Sequence, residues 1–500
     1  MKTNTLDFDA QALREKILDL AMRGKLVPQD PNDEPASVLL EKIKAEKEQL
    51  IKEKKIKKSK PLDPITDDEK PFDIPDSWEW VRLGDVLSLE NGAIRRGPFG
   101  SSLKKAFFVP KDKNTYKVYE QGNAINHTID YGDYYISQEK YNELKSFSVR
   151  PKDIIISGAG TIGKTYILPP DTPDGVINQA LIRVRLNDNL ITNEFFLLAF
   201  QQKVSLLNKK AKGTAMKNMF SIAHMKNDLI WALPPLEEQS RIAAKIAQLF
   251  ALLRKVESST QQYAKLQTLL KSKVLDLAMR GKLVEQDPHD EPASALLEKI
   301  KIDTNQRIEI QKIKKIKFAK HSYDDQIKYS IPDTWVWTRI GDILYKLTDG
   351  VHQRPNYTNE GVPFLSVKDM SQGTIDFSDC KYISLEDHEK IYPRCNSEYG
   401  DVLLSKVGTT GVPAIVETKE IFDLFVSVAL LKFNHKMINQ DFLRYLIMSP
   451  IVQQQVSINT RGVGNKNWVL RDIAGTLIPL PPKEQQNKIA NMLSKLLFLI

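Results

Sequence analysis

Residues 158–165 spell Gly-Ala-Gly-Thr-Ile-Gly-Lys-Thr, which is the G-x-x-x-x-G-K-T spacing of a phosphate-binding loop. In such a loop the glycines allow backbone amides to surround the phosphates of ATP or GTP, and the lysine contacts the terminal phosphates. The amides belong to the start of a helix, whose positive dipole end also favours the anion. The segment therefore predicts nucleotide hydrolysis through Lys164, provided that it joins a strand to a helix.

The residues around this segment predict a different local structure. The apolar run 153–157 is typical of a strand, but the prolines at 169–170 would end any following helix within about one turn. A related segment, 401–411, keeps Ser405, Gly408, Thr409 and Gly411 at matching positions and continues into Val-Pro instead of Lys-Thr. We therefore interpret residues 158–163 as a hairpin turn between two strands. A nucleotide-hydrolysing enzyme that uses Lys164 remains the alternative.

No other residues have the spacing of a catalytic or metal site. The seven histidines are scattered, and Cys380 and Cys395 are too few for a disulfide framework or a cysteine metal site. The sequence also has no N/D-P-P-Y/F methylation motif and no acidic nuclease cluster. We therefore expect no catalytic residue and no metal in this chain. The scarcity of cysteine favours a reducing cytoplasm.

Length and composition narrow the class of protein. Five hundred residues suggest about two to four domains. The longest apolar runs, such as 195–200, are far shorter than the roughly 18–20 residues of a membrane span, and the N-terminus lacks the apolar core of a signal peptide. The net charge of +9 favours a polyanionic partner such as nucleic acid.

An internal repeat is the strongest feature of the sequence. Residues 16–44 recur at 273–301 with 25 of 29 positions identical. Three shorter pairs follow in the same order: 76–86 with 333–343, 153–163 with 401–411, and 233–243 with 480–490. The middles of the two copies, 87–150 and 344–398, share almost nothing. Two equivalent scaffolds are therefore predicted to carry two different surfaces.

A heptad pattern predicts a coiled coil that joins the two copies. The seam steps alternately by four and three residues, and Thr260 and Gln267 are its two polar positions. Its apolar positions are Ile242, Ile246, Leu249, Leu253, Val256, Tyr263, Leu270, Val274 and Leu277. Residues 237–279 would form a rod of roughly 60 Å. The pattern of the second copy is divided between the chain ends, at Leu6–Leu20 and Ile489–Ile500. We therefore expect the terminal helices to lie together in a pseudo-circular molecule with an approximate two-fold axis.

The doubled "LAMRGKLV-QDP-DEPAS-LLEKI", the "IPD(S/T)W-W" segments, the Ser-x-x-Gly-Thr-x-Gly hairpin and "LPP-E-Q" together resemble the specificity (S) subunit of type I restriction–modification enzymes. The resemblance covers nearly the whole chain. It implies an α+β fold with two α/β target-recognition domains joined by long antiparallel coiled-coil helices. The implied boundaries are an N-terminal helical region at 1–69, the first recognition domain at 70–233, a central helical spacer at 234–320, the second recognition domain at 321–480 and a C-terminal helix at 481–500.

The resemblance also implies a non-catalytic, cytoplasmic protein. Each recognition domain would read one half of a split, asymmetric double-stranded DNA sequence, and the helices would set the distance between the halves. The implied partners are two modification (methyltransferase) subunits and restriction (motor–nuclease) subunits. S-adenosylmethionine, ATP and Mg²⁺ would act in those partners, with no cofactor in this chain and no membrane contact. A coiled-coil scaffold without DNA affinity is the other alternative.

DNA recognition needs cations for phosphates, and arginine, asparagine, glutamine or lysine side chains for base edges, preferably on loops held by a rigid frame. In the first recognition domain a glycine-rich loop is predicted at 91–102, and loops of its "RRGPFGS" type recur in the family. Lys164 and the loops at 119–127 and 209–218 add further candidates. The candidates in this domain are Arg95, Arg96, Gly97, Ser101, Gln121, Asn123, Lys164, Lys212, Thr214 and Lys217.

The second domain has candidates at corresponding positions with different residue types, as two unlike half-sites require. They are His352, Gln353, Arg354, Lys368, Lys406, Arg461, Asn465 and Lys466. The candidates for partner docking are Arg23, Lys25, Arg280 and Lys282, which flank the repeated glycine of "LAMRGKLV". The alternative is that this segment only supplies the helix end that the fold needs. The lysine runs 52–60 and 312–320 are interpreted as solvated helix ends, or else as DNA or partner contacts.

Overall fold

The computed structural model describes residues 8–58, 61–210, 221–318, 329–462 and 466–500. The chain divides into two compact units, Met1–Thr260 and Gln261–Ile500. Both units combine helices with short strands, which confirms the predicted mixed helix and sheet fold class. No helix in these described ranges is both long enough and apolar enough to span a membrane.

The first unit consists of helices around three small sheets. Its helices are α1 Ala10–Met22, α2 Ala36–Lys52, α3 Gln121–Asn126, α4 Gln138–Glu143, α5 Asn193–Lys210, α6 Ile222–Asp228 and the long α7 Leu236–Met279, which ends within the second unit. Its strands are β1 Glu79–Arg82, β2 Ile94–Arg96, β3 Thr115–Tyr119, β4 Tyr135–Ser137, β5 Ser148–Val149, β6 Ile154–Ser157, β7 Thr165–Ile167, β8 Gly175–Ile177, β9 Leu181–Val184 and β10 Ile230–Leu233.

The second unit contains a similar series of elements. Its further helices are α8 Ala293–Gln311, α9 Leu385–Ile391, α10 Gln440–Met448, α11 Pro450–Asn459, α12 Leu470–Gly475 and α13 Lys483–Leu499. Its strands are β11 Val336–Arg339, β12 Lys346–Asp349, β13 Tyr357–Thr358, β14 Val362–Leu365, β15 Lys381–Ile383, β16 Val402–Ser405, β17 Pro413–Ile415, β18 Asp423–Leu424, β19 Val428–Lys432 and β20 Leu477–Leu480.

The sheets show that the two dissimilar middles have nearly the same fold. The orders β2-β9-β6-β7 and β12-β19-β16-β17 match, and neighbouring strands are antiparallel in both sheets. The second sheets share an antiparallel pair and a parallel pair, β4-β3-β8 in one unit and β15-β14-β18 in the other. They differ only in the edge strand, because β5 adds to β8 whereas β13 adds to β15.

The segment with the phosphate-loop spacing is a hairpin, as predicted. Strands β6 and β7 pair antiparallel, with Ile156 opposite Thr165, so that a strand follows the turn. The hydroxyl of Ser157 accepts a hydrogen bond from the Lys164 amide at 2.9 Å and donates one to the Thr161 carbonyl at 2.5 Å. A nucleotide loop needs a helix after the turn, so the interpretation as a nucleotidase is wrong.

The corresponding turn of the second unit is built in the same way. The hydroxyl of Ser405 accepts from the Val412 amide at 2.8 Å, and the Gly411 amide donates to the Ser405 carbonyl at 2.9 Å. The Gly163 amide donates to the Ser157 carbonyl at the same distance. The repeated serine and glycines therefore specify the turn, and the lysine is not part of it.

The predicted rod is one continuous helix, α7. In the first unit Ile242 and Ile246 belong to the same buried core as Ala21 and Met22 of α1, and the Arg14 guanidinium lies 2.5 Å from a Glu257 carboxylate oxygen.

In the second unit Val274 and Leu275 belong to the same buried core as Ile489 and Leu493 of α13, and the Gln267 side chain donates to the Ile500 carbonyl at 2.7 Å. Each terminal helix thus packs on the part of α7 in its own unit. The pseudo-circular arrangement stays a prediction.

The repeated "LPP-E-Q" motif buries polar side chains at the start of a helix. Glu238 is fully buried and accepts hydrogen bonds from the Trp78 indole at 2.9 Å and the Gln29 amide at 2.7 Å. The next residue, Gln239, donates to the Leu190 and Pro234 carbonyls and accepts from the Thr192 amide. The motif therefore joins α7 to the segments that surround it.

We expect the stability of the first unit to rise as the pH falls from neutrality towards 4.5, and Glu238→Gln to remove that part of the dependence. Burial raises the pKa of Glu238, although hydrogen bonds from Trp78 and Gln29 oppose the rise. The folded unit therefore binds a proton at a pH where the unfolded chain does not, and loses this stabilisation as the pH increases. Urea unfolding at several pH values measures the effect. The exposed neighbour offers a control, because Glu237→Gln is expected to leave the dependence unchanged.

Candidate nucleic-acid interface

Several predicted DNA-binding residues of the first unit meet where its strands end. The Gly97 amide donates to the Leu181 carbonyl at 2.9 Å, and the Gly158 amide donates to the Ala180 carbonyl at 2.7 Å. A β-carbon on Gly160 would lie 3.5 Å from the Gln121 amide nitrogen. These contacts bring together four segments, which we call the strand-end face of the first unit: 96–102, 120–123, 158–164 and 178–180.

Arg95 and Arg96 lie in strand β2, and the predicted loop over them is wrong. Successive strand residues point to opposite sides, so the two arginines separate. Arg95 lies over the Phe147 ring at 5.4 Å, whereas Arg96 lies over Phe99 at 5.0 Å and donates from Nε to the Gln179 carbonyl at 3.3 Å. Only Arg96 of this pair therefore belongs to the strand-end face. Phe99 beside it is 62% exposed.

Two residues of the first unit that were predicted to bind DNA have structural roles instead. A β-carbon on Gly97 would lie 1.9 Å from the Asn178 carbonyl oxygen, so the glycine is required for this backbone contact. Asn123 is fully buried, donates to the Thr128 and Tyr131 carbonyls and accepts from the Glu120 amide. Neither position fits a contact with DNA.

The remaining DNA-binding candidates of the first unit that the structure describes are accessible to solvent. Ser101 and Lys164 are exposed, and Gln121 is half-buried at the start of α3. Lys212, Thr214 and Lys217, together with Asn465 of the second unit, lie outside the described residues.

The second unit forms an equivalent face. Gly350 corresponds to Gly97, since its amide donates to the Val428 carbonyl at 3.2 Å and a β-carbon there would lie 1.9 Å from the Leu424 oxygen. The Lys406 amide donates to the Ser427 carbonyl at 2.9 Å, as Gly158 does to Ala180. We call residues 349–354, 366–369, 405–411 and 425–427 the strand-end face of the second unit.

Most candidates of the second unit are accessible on or beside this face. His352, Gln353 and Arg354 are exposed on the segment after β12. The Lys466 carbonyl accepts a hydrogen bond from the Gly408 amide at 2.9 Å, and the Lys466 side chain is exposed. Arg461 is exposed, with its guanidinium 3.7 Å from Asp472.

Two lysines of the second unit are already paired. Lys368 donates to the Asp379 carbonyl at 2.7 Å and to its carboxylate at 3.1 Å. The Lys406 ammonium is buried, 3.2 Å from an Asp349 carboxylate oxygen and 3.3 Å from the Val426 carbonyl. Lys406 therefore supports the face from beneath and does not fit the predicted direct contact with DNA.

A buried ion pair that the sequence interpretation missed holds each hairpin in place. The Asp153 carboxylate, directly before β6, binds Arg185 at 2.7 and 3.0 Å. Asp401, directly before β16, binds Lys432 at 2.7 Å. Burial lowers the pKa of Lys432, but the bonds to Asp401 and Glu398 offset this and raise it overall. The sequence did contain a signal for this pair, because an aspartate directly precedes the apolar strand in both repeats.

The two faces carry unlike side chains on the same frame. Because Gly97 and Gly350 are equivalent, the residues directly before them, Arg96 in the first unit and Asp349 in the second, are equivalent too. Gly158 stands where the second has Lys406. Equivalent positions of the two frames thus hold different side chains, with Asp349 and Lys406 buried and Arg96 half-buried.

The predicted docking arginines are engaged within their own units. Arg23 binds Asp19 at 2.9 Å and lies 4.4 Å over the Phe72 ring. Arg280 binds Asp276 at 2.8 Å and lies 4.0 Å over the Tyr329 ring. These contacts explain why both repeats have an arginine here, and they leave Lys25 and Lys282 as the exposed members of the set.

The glycine between these cations ends its helix, as predicted. Gly24 and Gly281 have φ of +65° and +68°, which favours glycine. A β-carbon on either would also lie about 2.5 Å from a ring carbon of the proline in the "IPD(S/T)W" segment, 2.5 Å for Pro75 and 2.4 Å for Pro332.

Within the described part of the chain, no group of three or more histidine, cysteine, aspartate or glutamate side chains is placed to hold a metal ion. Cys380 and Cys395 are both buried and unpaired with each other. Burial raises the pKa of the Cys395 thiol to about 12. A thiol held in its neutral form is a poor nucleophile and a poor metal ligand.

Comparison with known proteins agrees with this arrangement. The family model of the type I restriction modification DNA specificity domain matches residues 75–267 and again 332–498. The EcoAI specificity subunit of Escherichia coli is 28% identical over 98% of this chain and 89% of its own length. The EcoEI specificity subunit of the same organism is also 28% identical, over 96% and 88%.

A solved structure has the same fold. It comes from a study of complex assembly and conformational transition of the type I R-M system, with a TM-score of 0.52 and 20% identity over 85% of this chain and 91% of that chain. Two matches to one family model, in the two halves that the repeat defines, account for most of the sequence. The chain therefore belongs to the type I restriction modification DNA specificity domain family and is a specificity subunit of such a system.

Proposed function

We propose that this chain is a non-catalytic subunit that reads a bipartite, asymmetric double-stranded DNA sequence, one half with each unit. The main support is that equivalent frames carry unlike side chains at the ends of their strands. The first unit offers Arg96, Gln121 and Lys164 there, and the second offers His352, Gln353 and Arg354. These residue types form bidentate contacts with guanine or adenine edges, or bind phosphates.

Exchange of residues 87–225 for those of a relative with a different target is expected to change one half of the recognised sequence and leave the other half intact. The expectation follows because all segments of the first strand-end face lie inside this range. Long-read sequencing of methylated DNA, with the chain assembled with its modification subunits, measures both halves. Exchange of residues 344–466 is the matched control and should change only the other half. A change in both halves after either exchange would contradict independent reading.

The same proposal assigns catalysis to other chains. Two modification subunits would methylate the DNA with S-adenosylmethionine, and restriction subunits would use ATP and Mg²⁺. Docking is proposed on the exposed Lys25 and Lys282, which occupy the same position in the two repeats. In the second unit the adjoining part of α7 also exposes Leu266, Leu269 and Leu270, each by half or more. Single exposed apolar residues are common, but three within two helical turns indicate a covered surface.

The alternative of a coiled-coil scaffold without DNA affinity predicts a different salt response. A chain that binds phosphates releases counterions from DNA, so its affinity for a random duplex must fall steeply as salt increases. Gel-shift titration of the assembled complex at two salt concentrations distinguishes a DNA-binding subunit from a scaffold without DNA affinity. Absence of DNA binding at the lower concentration would favour the scaffold.

A further inference from the structure

A buried carboxylate organises the strand-end face of the second unit. Asp349 ends β12 and is 3% exposed. Its carboxylate oxygens lie 2.8 Å from Arg394 Nη2, 3.2 Å from the Lys406 ammonium and 3.3 Å from His352 Nε2. One acid therefore faces an arginine, a lysine and a histidine, which come from three different segments of the unit.

The charges around Asp349 favour its ionised form. Burial alone would raise the pKa of this carboxyl, but the bond from Arg394 and the charge and bond of Lys406 lower it below its ordinary value. The two cations exceed the single negative charge, so the cluster has a net positive charge. It adjoins the exposed residues 352–354, and such a surface suits an anionic partner.

Arg394 is held by one edge of its guanidinium and exposed at the other. Its Nε donates to the Asp349 backbone oxygen at 3.2 Å, and its Nη2 donates to the Asp349 carboxylate at 2.8 Å. These bonds use the side edge of the planar group. The end edge, with parallel N–H groups on Nη1 and Nη2, remains available for a ligand, because Nη1 bonds to no residue in the described part of the chain. The side chain is 50% exposed.

An arginine fixed in this way has the geometry of a base-reading group. Two parallel N–H donors match the O6 and N7 acceptors that guanine presents in the major groove, and this is the commonest specific contact between proteins and DNA. Fixing the guanidinium beforehand also reduces the conformational entropy that binding would cost. A flexible surface arginine has no such advantage.

We infer that Arg394 reads a guanine in the DNA half-site of the second unit, and that Asp349 is the residue that positions it. The inference rests on the proposed function and adds to it one named contact. Lys406, beneath the face, neutralises the carboxylate and keeps it between the segments. The first unit has no such pair, because Arg96 occupies the position of Asp349 and reaches the face directly.

The test uses the full chain assembled with its modification subunits, with Arg394→Lys and Arg394→Gln as variants. Methylated sites are mapped by long-read sequencing in a random-sequence plasmid library. Both variants are expected to lose about tenfold or more of their preference for one G·C pair in the second half-site and to retain the first half-site. Lysine fails because its single ammonium cannot form the bidentate contact.

A matched control separates this role from a structural one. Arg150 is 56% exposed and its guanidinium binds Glu90 at 3.1 Å, but it lies before β6, at the opposite end of that strand from the hairpin. Arg150→Lys is expected to change neither half-site. Thermal unfolding of each variant within experimental error of the parent chain confirms that any change in specificity does not come from misfolding.

Two results would overturn the inference. If Arg394→Lys keeps the full preference while Arg394→Gln weakens all sites equally, Arg394 only binds phosphate. If neither variant changes any base preference, it does not contact the DNA. A parent complex whose methylated sequence is not divided into two halves would instead refute the proposed function itself, whatever the variants do.

Discussion

Lys432→Met is expected to destabilise the second unit by about 3–5 kcal/mol, the usual cost of removing one partner from a buried ion pair. The Lys432 ammonium lies 2.7 Å from Asp401 and 2.8 Å from Glu398, and the Lys432 and Asp401 side chains are 3% and 2% exposed. Methionine fills similar space but leaves the Asp401 carboxylate buried without its cation. Hydrogen exchange of the β16 and β19 amides in the full-length chain measures the loss.

The first unit indicates the control for this substitution. Arg185 occupies the position of Lys432 and binds Asp153 as Lys432 binds Asp401. Lys432→Arg is therefore expected to cost far less than Lys432→Met. If the β16 and β19 amides exchange hydrogen equally slowly in the methionine variant and in the parent chain, the ion pair contributes little to stability.

Gly350→Ala is expected to cost about 3 kcal/mol, the upper part of the range for inserting a methyl group into a packed site. The added β-carbon would lie 1.9 Å from the Leu424 oxygen and 2.5 Å from the Phe425 carbonyl carbon. Both neighbours are backbone atoms, so no side-chain rotation relieves the contact. The segment 350–354 must then move away from β18, and reading of the second half-site should fail while the first half-site is retained.

Hydrogen exchange of the amides measures the loss of stability in Gly350→Ala, and the map of methylated sites measures the loss of the second half-site. Gly158→Ala is the matched control, because its β-carbon would be 3.4 Å from the nearest atom and the second unit has a lysine at that position. A Gly350→Ala chain that reads both half-sites normally would contradict the role given to this close contact.

Local residue chemistry was sufficient to predict several elements. The prolines at 169–170 limit any helix after Thr165 to about one turn, so the hairpin could be recognised from the sequence. The glycine of "LAMRGKLV" and the heptads of α7 likewise predict a helix end and a long helix from steric and periodic constraints alone. The repeat itself showed that two equivalent units carry different surfaces.

The contact partners of individual side chains could not be predicted from local sequence. The adjacent arginines 95 and 96 looked equivalent in sequence, but pleating of β2 turns one towards Phe147 and the other towards Phe99. Asn123 and Lys406 had the residue types of DNA contacts, yet the fold buries both. Arg394 drew no attention, since its partner Asp349 precedes it by 45 positions.

The sequence by itself determined the doubled architecture, the hairpins, the helix ends and the family. These depend on backbone conformation and on spacing within a few residues, or on comparison of one half of the chain with the other. Only the tertiary structure decided which charged side chains are buried, which are paired and which remain accessible. The reason is physical: the free energy of a charge depends on solvent and on partners that are brought to it from distant parts of the chain, after the strands have paired.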